Sequence, residues 1–184
     1  MPDLRLVAFL RAINVGGHTV TMDALKAHFR DAGFTNAESF IASGNIIFQS
    51  KRTDAAAVER KIERHLEQAL GYEVKTFVRT VAEVAEVAAY APFPPAIVKR
   101  ARVVYVGFLA APMTAAARKT LAALATDIDQ FHTSGRELYW ASLGQQGESK
   151  FTNTVFERAL KLRTTFRGIK TVVKLAVKFP PVAE

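Results

Sequence analysis

Arg11-Ala12-Ile13-Asn14-Val15-Gly16-Gly17-His18-Thr19-Val20-Thr21 joins an apolar run to a helical pattern and carries two adjacent glycines. Backbone N–H groups of such a loop, beside the positive end of a helix, can cradle an anion. Arg11 would add a bidentate donor, and Asn14 and His18 further polar contacts. The string matches neither the dinucleotide G-x-G-x-x-G nor the phosphate loop ending in G-K-[ST]. A tight turn that needs positive φ explains the same residues, with Arg11 solvated. Ser43-Gly44-Asn45 offers a hydroxyl and an amide, and equally reads as a plain hairpin turn.

Charge points to the other end of the chain. The 184 residues carry a formal net charge of +8, and the segment 150–184 holds eight Lys and Arg against two Asp and Glu. Arg167, Lys170, Lys174 and Lys178 fall at spacings of three and four, which makes one basic stripe on a helix. Ile169, Val172, Val173 and Ala176 lie roughly opposite. Lys174 and Lys178 suit the negative end of the helix dipole. Such a stripe is either a solvated face or a surface for an anionic partner.

Templates for catalysis are sparse. The chain has no cysteine, which removes disulfides, thiolate metal sites and cysteine nucleophiles. His18, His28, His65 and His132 show no metal-ligand spacing along the sequence, so no metal and no cofactor is expected. There is no G-x-S-x-G, and Ser149-Lys150 is a bare dipeptide. Asp127 and Asp129 alternate at a strand start, where solvent exposure is expected. Trp140 reads as core or lobe interface. Whether the protein is an enzyme stays open.

These residues need elements to position them. Leu4 to Leu10 reads as a strand, and Thr21 caps a helix with Met22, Leu25 and Phe29 on one face, ended by Gly33. Phe40-Ile41-Ala42 and Ile46-Ile47-Phe48 read as strands around the Ser43-Gly44-Asn45 turn. A helix follows over 54–70, with Val58, Ile62, Leu66 and Leu70 on one face, then a strand over 74–78. Thr80-Val81-Ala82-Glu83 fits a capping box opening a third helix. The proline-rich Ala91-Pro92-Phe93-Pro94-Pro95 places a lobe boundary there. Beyond it come a strand at 103–109, a helix at 114–125, paired strands at 128–133 and 137–142, and helices at 152–162 and 168–178.

The order contains a repeat. Val7-Ala8-Phe9-Leu10 is echoed by Val106-Gly107-Phe108-Leu109, and Ser43-Gly44-Asn45 by Ser134-Gly135-Arg136. The fold class is therefore α+β: two ferredoxin-like (split βαβ) lobes, duplicated βαββα units with antiparallel sheets, and C-terminal helices. The expected lobes are 1–90 and 91–184, the second bearing the basic terminal helix. In such a lobe the loop after strand one and the turn around Gly44 share one end of the sheet. The start of the chain shows no signal peptide, and no apolar run is long enough to span a membrane, so a cytoplasmic protein without membrane attachment is expected.

Leu10-Arg11-Ala12-Ile13-Asn14-Val15-Gly16-Gly17, then Ser43-Gly44-Asn45 with Phe48, resembles the domain-of-unknown-function 1697 family, marked by L-R-G-I-N-V-G-G and a later S-G-N-x-x-F. The likeness extends to Ser149-Lys150 and to Thr165 through Thr171. Ala12 stands where that family usually has glycine, and Gly168 and Ile169 stand where it usually has Asn and Trp. The resemblance implies a bacterial-type protein built from ferredoxin-like lobes, and brings no established activity.

Together these features suggest a binding module for a phosphate-bearing anion, a small molecule such as a nucleotide or a nucleic acid. Its site would comprise Arg11, Asn14, Gly16, Gly17, Ser43, Gly44, Asn45, Lys150, Thr165 and Arg167. Two other functions fit the same residues. One is a small enzyme acting on an acidic substrate through Ser43, His18 or Lys150; the other is a protein-interaction domain using the basic C-terminal helix.

Overall fold

The computed structural model describes residues 3–41 and 43–181. The chain forms two compact units, one running through Ala85 and taking up the chain again from Leu175, the other Glu86–Lys174. Each repeats the order strand, helix, two strands, helix, strand around a four-stranded antiparallel sheet.

In the first unit β1 (Leu4–Leu10) is central and pairs with β3 (Asn45–Ser50) on one side and β4 (Thr76–Thr80) on the other. β2 (Thr35–Ser39) lies outside β3, giving the order β2-β3-β1-β4. Side chains alternate along β1, so Leu6, Ala8 and Leu10 share the helix-covered core. The helices are α1 (Met22–Asp31) and α2 (Ala55–Leu70). Val58, Ile62 and Leu66 of α2 recur every four residues and are buried in that core. Thr21 and Asp54 cap the two helices by accepting from backbone N–H groups, and Gly71 ends α2 in the left-handed region.

β4 is an edge strand, and α2 covers its open hydrogen-bonding side. Glu59 accepts from the Val78 N–H at 2.8 Å, and Glu63 from the Thr76 N–H at 3.0 Å. Glu63 also pairs with Lys75 at 2.8 Å. Two carboxylates one helical turn apart thus satisfy donors two residues apart on the strand.

The second unit repeats the plan with β5 (Val103–Phe108), α5 (Ala115–Ala122), β6 (Asp129–Ser134), β7 (Glu137–Ser142), α6 (Asn153–Leu160) and β8 (Thr165–Gly168), in the order β6-β7-β5-β8. The correspondence reaches single residues. Ala8 lies opposite Val78 in the first sheet, and Gly107 opposite Phe166 in the second. The two pairs divide their bulk differently: small with medium in one sheet, none with large in the other. Between the repeats lie α3 (Val81–Ala89) and α4 (Pro95–Arg100), and α7 (Ile169–Lys178) ends the fold. The capping box of α3 is present: Thr80 Oγ1 accepts from the Glu83 N–H, and Glu83 Oε2 from the Thr80 N–H. Among the described residues, no helix is long and apolar enough to cross a membrane.

Several elements differ from the sequence reading. β2 is Thr35–Ser39 and not the apolar run at 40–42; Ile41 has φ +56 and is exposed, so the chain turns there, while Ala42 lies outside the described residues. β8 was not evident from sequence, because four residues without alternation acquire strand form only by pairing with β5. Arg167 belongs to that strand, so the basic stripe of α7 consists of Lys170, Lys174 and Lys178. The buried face of α7 is Val172 and Leu175, with buried Phe179 just past its end, while Val173 is exposed. The division between units falls within α7, at Lys174, where the sequence reading keeps 91–184 in one lobe.

Candidate functional site

The glycine loop and the Gly44 turn meet at one end of the first sheet. Phe9 of β1 lies opposite Asn45 of β3, and the Leu10 N–H donates to the Gly44 carbonyl at 2.9 Å. Gly44 has φ +73, and a Cβ there would stand 3.0 Å from Ile13 Cγ2 and 3.2 Å from Leu10 Cβ. The turn therefore seats directly on the start of the glycine loop.

Most of the polar side chains in both segments are engaged in holding them. Asn14 Oδ1 accepts from the Val20 N–H at 2.7 Å, and Thr21 Oγ1 from the Ala24 N–H at 3.1 Å. Buried Asn45 donates from Nδ2 to the Phe40 carbonyl at 3.1 Å and to Ser43 Oγ at 2.8 Å. The Tyr72 hydroxyl donates to the Ile13 carbonyl at 2.9 Å, and His18 stacks on the Tyr72 ring with centroids 3.8 Å apart. Burial pushes the Tyr72 phenol pKa up. The Arg11 N–H donates to the Lys75 carbonyl at 2.8 Å. Gly16 and Gly17 are exposed, with φ +64 and +86, and a Cβ on either would meet nothing within 4 Å. Ala12, where glycine was expected, also has positive φ, +57.

Lys150, Thr165 and Arg167 belong to the second unit. Lys150 is exposed, whereas Thr165 and Arg167 are buried. Arg167 donates to Thr165 Oγ1 at 2.8 Å and to the Phe166 carbonyl at 2.9 Å, and burial lowers its pKa to about 10. Its counterpart in the first sheet is Arg79, 1% exposed, which donates to the Val78 carbonyl at 2.9 Å. Arg79 lies opposite Val7 and Arg167 opposite Val106, the corresponding position of the repeat. Both guanidiniums are thus satisfied in part by their own strand, which is what burial of that group demands.

Asp129, expected in solvent, is 2% exposed. Its carboxylate accepts from Ser149 Oγ at 2.8 Å, from Trp140 Nε1 at 2.8 Å and from Thr126 Oγ1 at 3.2 Å. Ser149 is therefore a donor in a buried network, which fixes the strand end beneath the Trp140–Tyr105 stack.

The sequence reading missed a basic cavity on the first unit. It measures about 500 Å³ and is lined by Arg52, Arg60, Lys61 and Arg64, with Asp31, His65 and Gln68. Three of the cations come from the exposed face of α2, and Arg52 from the segment between β3 and α2. Among the described residues, no carboxylate pairs with any of the four cations. Lys61 Nζ lies 4.9 Å from the centroid of the Phe34 ring, a cation–π contact. The spacing of Arg60, Lys61 and Arg64 was visible on the predicted helix; the return of the chain to bring Arg52 beside them was not. On the same side, metal-ligating atoms of His28, Asp31 and His65 all lie within 4.8 Å of one another.

The twofold succession of βαββαβ around antiparallel sheets makes this an α+β protein with duplicated ferredoxin-like units. The chain belongs to the family described as Protein of unknown function (DUF1697), whose model matches residues 4–139. Its fold is similar to that of the conserved bacterial protein SP0830 from Streptococcus pneumoniae, with a TM-score of 0.76 over 96% of this chain and 98% of that chain. At 20% identity that likeness is one of fold. The chain matches no curated protein.

Proposed function

We propose that the protein binds a small phosphate-bearing anion in the basic cavity of its first unit. One observation carries this reading: Arg52, Arg60, Lys61 and Arg64 line a single cavity of about 500 Å³, with no carboxylate paired to any of them among the described residues. Like charges held together repel, and a bound anion relieves that repulsion. Guanidinium groups match phosphate oxygens bidentately, and the volume falls within the range of small-molecule sites. The Gly16–Gly17 loop is the less suitable receptor, since Asn14, Thr21 and Asn45 are engaged in shaping it and its neighbouring turn.

The test is calorimetric titration with inorganic phosphate, pyrophosphate, a nucleoside diphosphate and a short oligonucleotide at two salt concentrations. Each charge-assisted hydrogen bond contributes about 1.5–3 kcal/mol. Arg60→Ala with Arg64→Ala therefore weakens the phosphate compounds at least tenfold, while Arg11→Ala leaves them unchanged. No binding at low salt, or binding indifferent to the double substitution, refutes the reading. Tight binding of the oligonucleotide alone, with a steep salt slope, would instead assign the surface to nucleic acid.

A second reading has support in α7. Val177 is 76% exposed beside Lys174 and Lys178, a mixture of apolar and basic groups suited to an acidic protein partner. Salt-sensitive association that Lys174→Glu with Lys178→Glu abolishes would favour it.

A further inference from the structure

We propose that His28, Asp31 and His65 form a binding site for a divalent transition metal of the zinc type. The proposal rests on the anion reading only for the ligand that completes the metal's coordination. His28 and Asp31 are three residues apart on α1 and so share a face, while His65 comes from α2 packed beside it. Their ligand atoms lie within 4.8 Å of one another. A tetrahedral metal with bonds of roughly 2.0–2.2 Å places its ligands about 3.3 Å apart, so side-chain rotation closes the set. Asp31 is exposed and both histidines are only half-buried, which leaves those rotations open.

A second observation points to a ligand. His65 Nε2 is buried and has no hydrogen-bond partner. A buried ring nitrogen left unsatisfied is destabilising, and a metal is one of the few partners that would relieve it. The His28 and His65 rings meet edge to face at 5.7 Å, so the second imidazole is already beside the first. Two imidazoles and one carboxylate are the donor set of open metal sites, with a position left for an outside ligand.

That position adjoins the basic cavity. Asp31 and His65 line the cavity, along with Arg60, Lys61 and Arg64. The cations disfavour a bare metal ion and favour one that arrives with, or acquires, an anionic oxygen ligand. The chemical class is therefore a phosphate oxygen bridging metal and guanidinium. The sequence hides this set because its two halves lie on different helices, and only their packing joins them.

The experiment uses the full-length, tag-free chain, stripped with a chelator and titrated with Co2+ as a visible-absorbing stand-in for Zn2+. A tetrahedral cobalt band at one equivalent is expected, displaced by Zn2+ and shifted by added inorganic phosphate. Asp31→Asn, at an exposed position that folding tolerates, and His65→Gln should each weaken the metal by at least about 100-fold, since loss of even an outer-shell partner costs about 10–100-fold. Absence of the band, or a band equally strong in both variants, overturns the proposal. Phosphate titration of the stripped protein separates the two readings. Binding there without any cobalt band leaves the anion site standing and removes the metal. A ligand-dependent cobalt band that ignores phosphate, in protein whose stripped form also ignores it, removes the anion reading and leaves the metal.

Discussion

Replacing Gly44 by alanine separates backbone conformation from packing at the end of the first sheet. At φ +73 an alanine is in the left-handed region, which costs about 1–2 kcal/mol. The smaller entropy of the unfolded alanine chain returns about 0.4–1 kcal/mol. The new Cβ also stands 3.0 Å from Ile13 Cγ2 and 3.2 Å from Leu10 Cβ, and both side chains are buried. Overpacking of that kind costs about 1–3 kcal/mol. The net loss is therefore about 3 kcal/mol, within bounds of roughly 1 to 4.5 kcal/mol. Gly17 is the control, with φ +86 and nothing within 4 Å of a Cβ. Gly17→Ala should lose only the conformational part, about 1 kcal/mol. Urea unfolding followed by far-ultraviolet circular dichroism reads both variants. Trp140 fluorescence, which reports the second unit alone, checks that the loss begins in the first. Equal losses at Gly44 and Gly17 would show that Ile13 and Leu10 do not confine the turn, and the packing account would fail.

Further predictions follow from the same geometry. At Gly107 a Cβ would stand 2.7 Å from Phe166 Cε1, so Gly107→Ala should lower stability by about 1–3 kcal/mol, and Phe166→Val in the same chain should recover part of it by thermal melting. Ala12→Gly relieves a left-handed alanine at φ +57 and should raise stability by about 0.5–1 kcal/mol in the same urea assay. Tyr72→Phe loses the hydrogen bond to Ile13 and should cost about 0.5–1.5 kcal/mol at neutral pH. Burial raises the Tyr72 pKa above 10.0, so its contribution is whole below that pH and is lost as the pH rises through the folded value. The alkaline fall in stability should therefore be shallower in Tyr72→Phe, and an unchanged slope would refute the assignment. Arg167 has the opposite sign: burial lowers its pKa to about 10, so the unfolded chain holds that proton longer and its contribution to stability rises as the pH climbs above about 10.

Local chemistry made much of the fold legible. The continuous apolar run of β1, the four-residue recurrence of Val58, Ile62 and Leu66, and the caps Thr21 and Asp54 are properties of short windows. So is the Thr80–Glu83 capping box. The duplication was visible because the two repeats keep Val-x-Phe-Leu at the central strand. What short windows could not contain was pairing. Thr165–Gly168 became a strand through β5, and in doing so took Arg167 out of the helical stripe that its spacing had suggested. Asp129 looked like a solvent residue until Ser149 and Trp140 came to it from other segments.

The same division holds for function. By itself the sequence determined which groups were available: no thiol, four histidines, an excess of cations and a loop with two adjacent glycines. Only the tertiary structure decided which of them stand together. It engaged Asn14, Asn45 and Thr165 in holding their own loops and strands, and set Arg52 beside α2 and His65 beside His28. The physical reason is the same in each case. Propensity and periodicity act over a few residues, whereas hydrogen-bond satisfaction and close packing join groups that are distant along the chain.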